Sequence, residues 1–332
     1  MELSLSIVVP VYNRPEEIGE LLDSLRHQTV KTFEVVIVED GSNEKAEAVV
    51  EAFRPQLNIL YLAKPNTGPG DSRNYGMARA RGNYFIILDS DCLLPPQYIE
   101  VVTENLKTKY TDFFGGPDTM HPDFSNIQKA INHSMTSFFT TGGIRNSESH
   151  RKFQPRSFNM GISKEAFEAS GGFGNIHPGE DPDLTLRLWK MGFSSQLIPD
   201  AFVYHKRRIS WSKFYKQVYK FGVARPILDS WHPEYKTVSY WFPSLFLIAE
   251  MASIFFLLAG FGFPAFLFLC YFGLVCLDAF VKQQTIRTAL LSILAVQIQF
   301  LGYGWGFLKS FFKVRLLAQK PQVAFPDFFF KH

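Results

Sequence analysis

Apolar runs alternate with helical patterns between Leu5 and Leu88, and this alternation limits the folds that the chain can adopt. Three runs are each followed by a segment whose apolar residues recur at helical spacing, and a fourth run closes the series. This order predicts an α/β fold with a mostly parallel, doubly wound sheet and helices on its faces. The predicted strands are Leu5–Pro10, Phe33–Val38, Ile59–Leu62 and Tyr84–Leu88, and the predicted helices begin near Pro15, Asn43 and Asp71.

Polar residues collect where the predicted strands end, the edge at which open α/β sheets bind ligands. They are Tyr12, Asn13, Asp40, Arg73, Asn74, Asp89 and Asp91. Each has an ordinary explanation by itself, since Asp40, for example, begins a good turn and helix cap. Together they favour a nucleotide site, with a ring to stack on a base, a carboxylate to accept a base N–H and an arginine for phosphate. The glycine-rich loop Lys64–Gly70 has neither a G-x-G-x-x-G nor a P-loop pattern, which disfavours dinucleotide cofactors and ATP hydrolysis.

The tripeptide Asp89-Ser90-Asp91 directly follows the fourth predicted strand. Two carboxylates this close repel each other unless a cation joins them, and hard ions such as Mg²⁺ or Mn²⁺ prefer oxygen ligands and often hold substrate phosphates. Taken alone, the tripeptide is more typical of a capped turn. Its place beside the other polar residues favours a metal site.

Two later segments carry further candidate residues. Glu180, Asp181 and Asp183 gather at a predicted helix start, where acidic residues stabilise the helix dipole whatever else they do. Ile198–His205 has the pattern of a strand that ends in a histidine. A lone histidine more often caps local structure than binds a metal, but a strand end could bring His205 towards a diphosphate or its metal.

Four segments resemble, in order, the signature segments of family 2 glycosyltransferases. They are Ser6–Arg14, Val36–Ser42, Asn66–Gly76 and Leu88–Cys92. The resemblance covers roughly residues 4–225 and implies an inverting enzyme of the GT-A fold, whose sheet is Rossmann-like. The family often has two aspartates where this chain has Glu39-Asp40, and we take the second residue as the base contact.

The resemblance implies roles for individual residues. Tyr12 and Asp40 would contact the nucleobase, Asp89 would lie near ribose or metal, and Asp91 would coordinate the metal that bridges the donor diphosphate. The Glu-Asp pair matches the family's catalytic motif, so Asp181 would be the general base on the acceptor hydroxyl and Glu180 would support or position the acceptor. The expected nucleotide-sugar-binding residues are Pro10, Tyr12, Asn13, Asp40, Arg73, Asp89 and Ser90, and the expected metal residues are Asp91, Asp89 and His205.

The expected function is transfer of a sugar from a nucleotide-diphosphate sugar, with UDP expected from the family, to a glycan or lipid-linked acceptor. A divalent cation, Mn²⁺ or Mg²⁺, would assist the departing diphosphate. Three alternatives remain: transfer onto polyprenyl phosphate, a non-catalytic nucleotide-sugar-binding subunit of a glycan assembly complex, and a nucleotidyltransferase. The last is disfavoured because Val11-Tyr12-Asn13 stands where such enzymes carry a basic, glycine-rich loop. A net charge of +3 gives no sign of a nucleic-acid partner.

The composition changes sharply at Phe242, and much of the chain's total of 34 phenylalanines lies beyond it. Apolar stretches follow at 242–259, 263–281 and 289–308; the second and third are long enough to span a bilayer, whereas the first is marginal and contains Glu250. Before them, Trp211 and Phe214 share a helical face opposite lysines, which favours an amphipathic helix on the membrane surface over one packed on the domain.

These patterns predict a catalytic domain at 1–205, an interfacial segment at 206–240, a membrane domain of two to three helices at 241–320 and a tail at 321–332. A strand begins within a few residues of Met1, so no cleavable signal peptide is expected. We expect the inner (plasma) membrane with a cytoplasmic catalytic domain, where nucleotide sugars are found. The basic residues after the last stretch also favour the cytoplasm, so an odd number of full spans would conflict with the charge rule.

Overall fold

The structure is a computed structural model and describes residues 3–119, 124–141, 153–205 and 210–330. The described residues form two compact units. The first draws on Met1–His121, Glu148–Lys206 and Asp327–His332, and the second on Pro122–Ser147 and Arg207–Pro326. The first unit therefore includes a short segment that follows all of the apolar helices in the sequence.

The first unit is built on a seven-stranded sheet with the order β3-β2-β1-β4-β8-β6-β9, accompanied by a small sheet with the order β5-β10-β7. The strands are β1 Leu5–Val11, β2 Phe33–Asp40, β3 Ile59–Lys64, β4 Tyr84–Leu88, β5 Cys92–Leu93, β6 Phe113–Gly115, β7 Asp118–Thr119, β8 Asn159–Ser163, β9 Ser195–Leu197 and β10 Val203–His205. The predicted mostly parallel α/β sheet is confirmed. Only β8, among the strands of the large sheet, runs antiparallel to its neighbours, β4 and β6.

Helices cover both faces of this sheet and form most of the second unit. They are α1 Pro15–Arg26, α2 Glu47–Phe53, α3 Pro69–Met77, α4 Tyr98–Thr108, α5 Asn126–Thr136, α6 Phe138–Thr141, α7 Lys164–Ser170, α8 Glu180–Lys190, α9 Trp211–Trp231, α10 Phe242–Leu258, α11 Phe263–Gln283, α12 Ile286–Ser310 and α13 Pro321–Ala324. Short 3₁₀ helices span Pro233–Tyr235, Val238–Trp241 and Pro326–Phe328, and a π-helix continues α12 over Phe311–Leu316.

The core of the first unit divides between the two faces of the sheet because side chains alternate along each strand. Ile86 and Leu88 join the cluster that contains residues of α1, α2 and α4. Phe85 and Ile87 join the cluster that contains residues of α3, α7 and α8. Full burial of such a side chain contributes about 1.5–3 kcal/mol, so the strand that leads into Asp89 is fixed from both sides.

Two predicted boundaries differ from the structure. The helix expected near Asn43 begins at Glu47, because the intervening backbone N–H groups bond to side chains instead: Asn13 Oδ1 accepts from Asn43, and Glu39 Oε2 accepts from Ala46. The late strand expected over Ile198–His205 is limited to β10, because Ala201 N–H donates to the Ile198 carbonyl in a turn.

The second unit contains three helical segments that are long and apolar enough to cross a membrane: Val238–Leu258, Phe263–Gln283 and Ile286–Leu316. The first, which the sequence marks as marginal, gains length from the 3₁₀ turn that precedes α10. Helix α9 buries Phe214 and Val218 in a cluster shared with α5 and α12. One face of α9 is thus packed within this unit.

Candidate active site

Asp91 lies between a histidine and an arginine from distant parts of the chain. Strand β5 pairs antiparallel with β10 so that Cys92 stands opposite His205, and this register brings His205 Nε2 to 3.2 Å from Asp91 Oδ1. On the other side, Arg14 Nη1 donates to Asp91 Oδ2 at 3.0 Å. The His205 ring also stacks on Phe158, with the ring centroids 4.8 Å apart, which holds the imidazole in place.

The chemistry around Asp91 fits a divalent cation. Potential ligand atoms of Asp91, Cys92 and His205 lie within 4.8 Å of one another. His205 Nδ1 is buried without a hydrogen-bond partner in the described part of the chain, and Asp91 Oδ1 is buried with His205 Nε2 3.2 Å away. Burial raises the pKa of Asp91, but His205 and Arg14 outweigh it and hold that pKa well below its ordinary value. The carboxylate is therefore ionised and suited to bind a cation.

Asp89 is directed to a different partner. Its Oδ1 accepts a hydrogen bond from Arg73 Nη2 at 2.8 Å, and its side chain is one-third exposed. It does not belong to the group of converging ligand atoms around Asp91 in the described residues. The two carboxylates therefore differ: Asp89 forms a salt bridge with Arg73, and Asp91 belongs to the candidate metal site.

Arg73 also joins Asp89 to the start of α8. Its buried guanidinium donates through Nη1 to Glu180 Oε1 at 3.2 Å, and it stacks over the Phe173 ring at 5.3 Å. His177 Nδ1 lies 2.8 Å from the same Glu180 oxygen. Burial raises the pKa of Glu180, but His177 and Arg73 lower it to about 2, so Glu180 remains a carboxylate. The Glu180 carboxylate is thus held in place by its contacts with Arg73 and His177.

Asp181 has the properties of a base. The Ser157 backbone N–H donates to its Oδ2 at 3.1 Å, whereas its Oδ1 is buried and has no hydrogen-bond partner in the described structure. Burial, and then the charge of Glu180, raise the pKa of Asp181 to about 6. A carboxylate with this pKa is ionised at neutral pH and accepts a proton more readily than an ordinary aspartate.

Asp40 lies at the end of β2, where it organises the loop before α3. Its Oδ1 accepts hydrogen bonds from Lys64 Nζ at 2.7 Å and Thr67 N at 3.0 Å, and its Oδ2 accepts from Gly68 N at 3.0 Å. Only 3% of Asp40 is exposed. A nucleobase contact, as the resemblance implies for Asp40, would therefore share its carboxylate with this loop.

The remaining predicted residues lie at the ends of β1 and β4. Tyr12 is half exposed and its ring is available for stacking. Asn13 is tied to the loop after β2, because its Oδ1 accepts from Asn43 N at 2.8 Å. Pro10 is half-buried in β1, and Ser90 is buried between the two aspartates. All of these residues belong to the first unit, as do Asp181 and His205.

The structure adds three residues to which the sequence analysis gave no role in the site. Arg14 follows Tyr12 and Asn13 at the same strand end, so its position was a usable signal. Lys64 is the last residue of β3 and pairs with Asp40. Like Arg14, it stands at a strand end, and its position there is visible in the sequence. His177 stands three residues before Glu180, but nothing in the sequence indicates that the two side chains meet.

A known protein family matches the first half of the chain. The family model described as glycosyl transferase family 2 matches residues 6–171, half of the 332-residue chain. The chain belongs to this family. The family membership expected from the four sequence segments is thereby confirmed.

Relatives with curated names agree with this assignment. An uncharacterized glycosyltransferase of Rickettsia bellii is 36% identical over 115 residues, which are 34% of this chain and 17% of that protein. Glycosyltransferases GlyA and GlyG of Streptococcus pneumoniae are 32% and 31% identical over 113 and 110 residues, which are 34% and 32% of this chain. The chain spans only 16% of GlyA and 36% of GlyG.

Solved structures share the fold of this family 2 member at low identity. A mannosyltransferase of Pyrobaculum calidifontis, solved in complex with GDP-Man and Mn²⁺, superposes with a TM-score of 0.60 at 17% identity and covers 91% of this chain and 88% of its own. Residues 1–349 of S. aureus TarS give a TM-score of 0.52 at 18% identity, covering 96% and 92%. The GT-A fold is thereby confirmed.

Proposed function

We propose that this protein is a membrane-bound, inverting glycosyltransferase that uses a nucleotide-diphosphate sugar. The observation that carries the proposal is the buried Oδ1 of Asp181, which has no hydrogen-bond partner among the described residues and lies in the unit that also contains the Asp91–His205 pair. Asp181 would accept a proton, and Asp91 would bind a cation. Metal-assisted direct displacement of a diphosphate from a sugar uses both functions.

The donor would be bound at the ends of β1, β2 and β4. Tyr12 offers an exposed ring for the base, while Asp40 and its loop offer carboxylate and backbone groups for base or ribose. The Mn²⁺ and GDP-Man bound by the mannosyltransferase of the same fold support a nucleotide-sugar donor here. UDP remains the expectation from the family.

A divalent cation would be held by Asp91 and His205, and Asp89 would serve the ribose or approach the same cation. When bound, Mn²⁺ or Mg²⁺ would supply positive charge that stabilises the departing diphosphate. Asp91 would hold the cation in place. Arg14, which donates a hydrogen bond to Asp91, would add its own positive charge to that of the cation.

In the reaction, Asp181 Oδ1 takes the proton from the acceptor hydroxyl. The acceptor oxygen forms its bond to the anomeric carbon as the bond from that carbon to the diphosphate oxygen breaks, and the electron pair leaves on the nucleoside diphosphate. Glu180, held as a carboxylate by His177 and Arg73, keeps the first turn of α8 and therefore Asp181 in position. No covalent enzyme intermediate is required.

The three apolar helices support an acceptor at a membrane surface, either a glycan or a lipid-linked molecule. The same helices favour polyprenyl phosphate as a second candidate acceptor. Inner-membrane attachment and a cytoplasmic site follow from the location of nucleotide sugars, and both remain part of the proposal.

The experiment measures free nucleoside diphosphate released by the full-length protein in detergent. A panel of UDP- and GDP-sugars is supplied with Mn²⁺, with Mg²⁺ or with EDTA. We expect release from one donor, lost with EDTA and lost in Asp181→Asn. Asp183→Asn is the matched control, because Asp183 lies in the same helical turn but pairs with Arg187 at 3.0 Å. We expect this control to keep most of the turnover.

Equal turnover in Asp181→Asn and the unmodified protein, with donor binding intact, would remove Asp181 as the base. Donor binding without turnover under every condition would instead favour the non-catalytic, nucleotide-sugar-binding subunit. Thermal shift with each nucleotide distinguishes these outcomes, since a ligand that binds only the folded state raises the melting temperature.

A further inference from the structure

We infer that the aromatic strap, residues Asp327–Phe330, positions the base-bearing helix and the nucleotide-side loop of the active site. This inference rests on the proposed function. The strap belongs to the first unit although it follows the whole second unit in sequence. Its sequence is Asp-Phe-Phe-Phe, which carries no recognised motif.

The strap is bonded through its backbone to the segment that leads into α8. Phe329 forms an antiparallel bridge with Ile176. The His177 N–H donates to the Phe328 carbonyl at 2.8 Å, and the Phe330 N–H donates to the Asn175 carbonyl at 3.3 Å. These hydrogen bonds hold residues 175–177 against the strap, because each bond pairs a backbone donor with a backbone acceptor.

The strap reaches the catalytic carboxylates through His177. Its imidazole lies 2.8 Å from Glu180 Oε1, and the ring centroids of His177 and Phe330 are 6.1 Å apart. Glu180 in turn pairs with Arg73 and immediately precedes Asp181. Displacement of residues 175–177 would therefore move the partner that holds Glu180, and with it the first turn of α8.

The strap also covers the loop on the nucleotide side. A Cβ on Gly68 would lie 2.4 Å from atoms of the Phe330 ring, so only glycine allows this approach. The Gly68 N–H donates to Asp40 Oδ2, the carboxylate expected at the nucleobase. Phe330 is therefore in contact with the loop that Asp40 organises and with the segment that carries His177. A small cavity of about 60 Å³ lies at this junction, lined by residues that include Thr67, Asn74, His177 and Phe330.

A ring in contact with both loops fixes their separation, and catalysis is sensitive to such distances. Misplacement of reacting groups by about 1 Å can cost on the order of 100-fold in rate. Phe328, Phe329 and Phe330 would thus act as positioning residues, because the contacts described above join them to residues 175–177 and Gly68 and not to Asp91 or Asp181. A purely structural role would lower the stability of the whole unit without altering these loops in particular.

The test compares the full-length protein with Phe330→Ala, Phe330→Leu and the control Met191→Ala. Met191 is an exposed apolar side chain at the end of α8, in the same unit. Hydrogen exchange is measured across the chain, and nucleoside diphosphate release is measured with the donor found active. In Phe330→Ala we expect faster exchange confined to residues 64–70 and 173–181, and kcat/KM lower by about 10- to 100-fold. Phe330→Leu should keep most of the exchange protection and most of kcat/KM. Met191→Ala should resemble the unmodified protein.

Unchanged exchange in both loops with full turnover in Phe330→Ala would overturn the inference. Faster exchange throughout β1, β2 and β4, with a matching fall in melting temperature, would also overturn it, because the strap would then only stabilise the unit. A protein that releases no nucleoside diphosphate from any donor refutes the proposed function, and the exchange measurement still decides whether the strap fixes these loops.

Discussion

Arg73 Nη2 lies 2.8 Å from Asp89 Oδ1, so a helix residue neutralises the carboxylate that follows the central strand of the sheet. The same guanidinium reaches Glu180, and its side chain is only 4% exposed. Sequence reasoning assigned Arg73 to the phosphates of the donor. In this structure its fork-shaped guanidinium is occupied by two carboxylates, so it connects the residue after β4 with the first turn of α8.

Substitution of Arg73 by Gln is expected to destabilise the first unit. It leaves buried Glu180 and partly exposed Asp89 without their cation, and breaking a buried ion pair costs about 3–5 kcal/mol. We expect a loss of about 3 kcal/mol, because water screens the exposed part of Asp89. Urea unfolding measures the change. Arg79→Gln is the control, since Arg79 is exposed in the turn that follows α3. An equal loss in both variants would contradict the role of Arg73.

The parts of the fold that the sequence predicted are those with local signals. The alternation of apolar runs and helical patterns determines the order of β1 to β4, and turn residues mark their ends. The approach of His205 to Asp91 depends on the antiparallel register of two-residue β5 with β10, which no local pattern encodes. The strap contacts are equally non-local, because Phe330 meets Gly68 only after the whole second unit has intervened.

Substitution of Arg14 by Gln is expected to strengthen the binding of Mn²⁺ alone. Arg14 now partly neutralises Asp91 at 3.0 Å, so its removal leaves more negative charge for a cation. The pair is partly exposed, and such a pair is worth about 0.5–1 kcal/mol, or about two- to fivefold in affinity. Titration calorimetry without nucleotide measures the effect. Asp91→Asn should bind Mn²⁺ more weakly, and Arg26→Gln, which removes a surface ion pair with Asp23, should leave it unchanged. Weaker binding in Arg14→Gln would refute this role.

Substitution of Gly222 by Leu is expected to disrupt the contact of α9 with α12 in the second unit. A Cβ at Gly222 would lie 2.1 Å from the Tyr303 carbonyl oxygen, and one at Gly306 would lie 2.3 Å from that of Tyr219. Overpacking of this kind costs about 1–3 kcal/mol, and a backbone atom cannot move aside as a side chain can. Thermal unfolding in detergent should show a lower midpoint. Gly273→Leu is the control, because in the described part of the chain no atom outside its own helix lies within 4 Å of a Cβ there.

Glu180→Gln is expected to move the pH dependence of the reaction. In the proposed mechanism Asp181 must be unprotonated to accept the acceptor's proton. Its pKa is raised to about 6, so kcat/KM of the unmodified protein should fall as the pH decreases through about 6. The charge of Glu180 contributes to this raised pKa, and its removal also leaves Arg73 without one of its two carboxylates. Both effects lower the pKa of Asp181, so the acidic limb of the profile should shift to lower pH even if the maximal rate decreases. Asp183→Asn, which leaves Glu180 in place, should keep the limb near 6. An acidic limb that stays unchanged in Glu180→Gln would show that another group, not Asp181, limits the reaction at low pH.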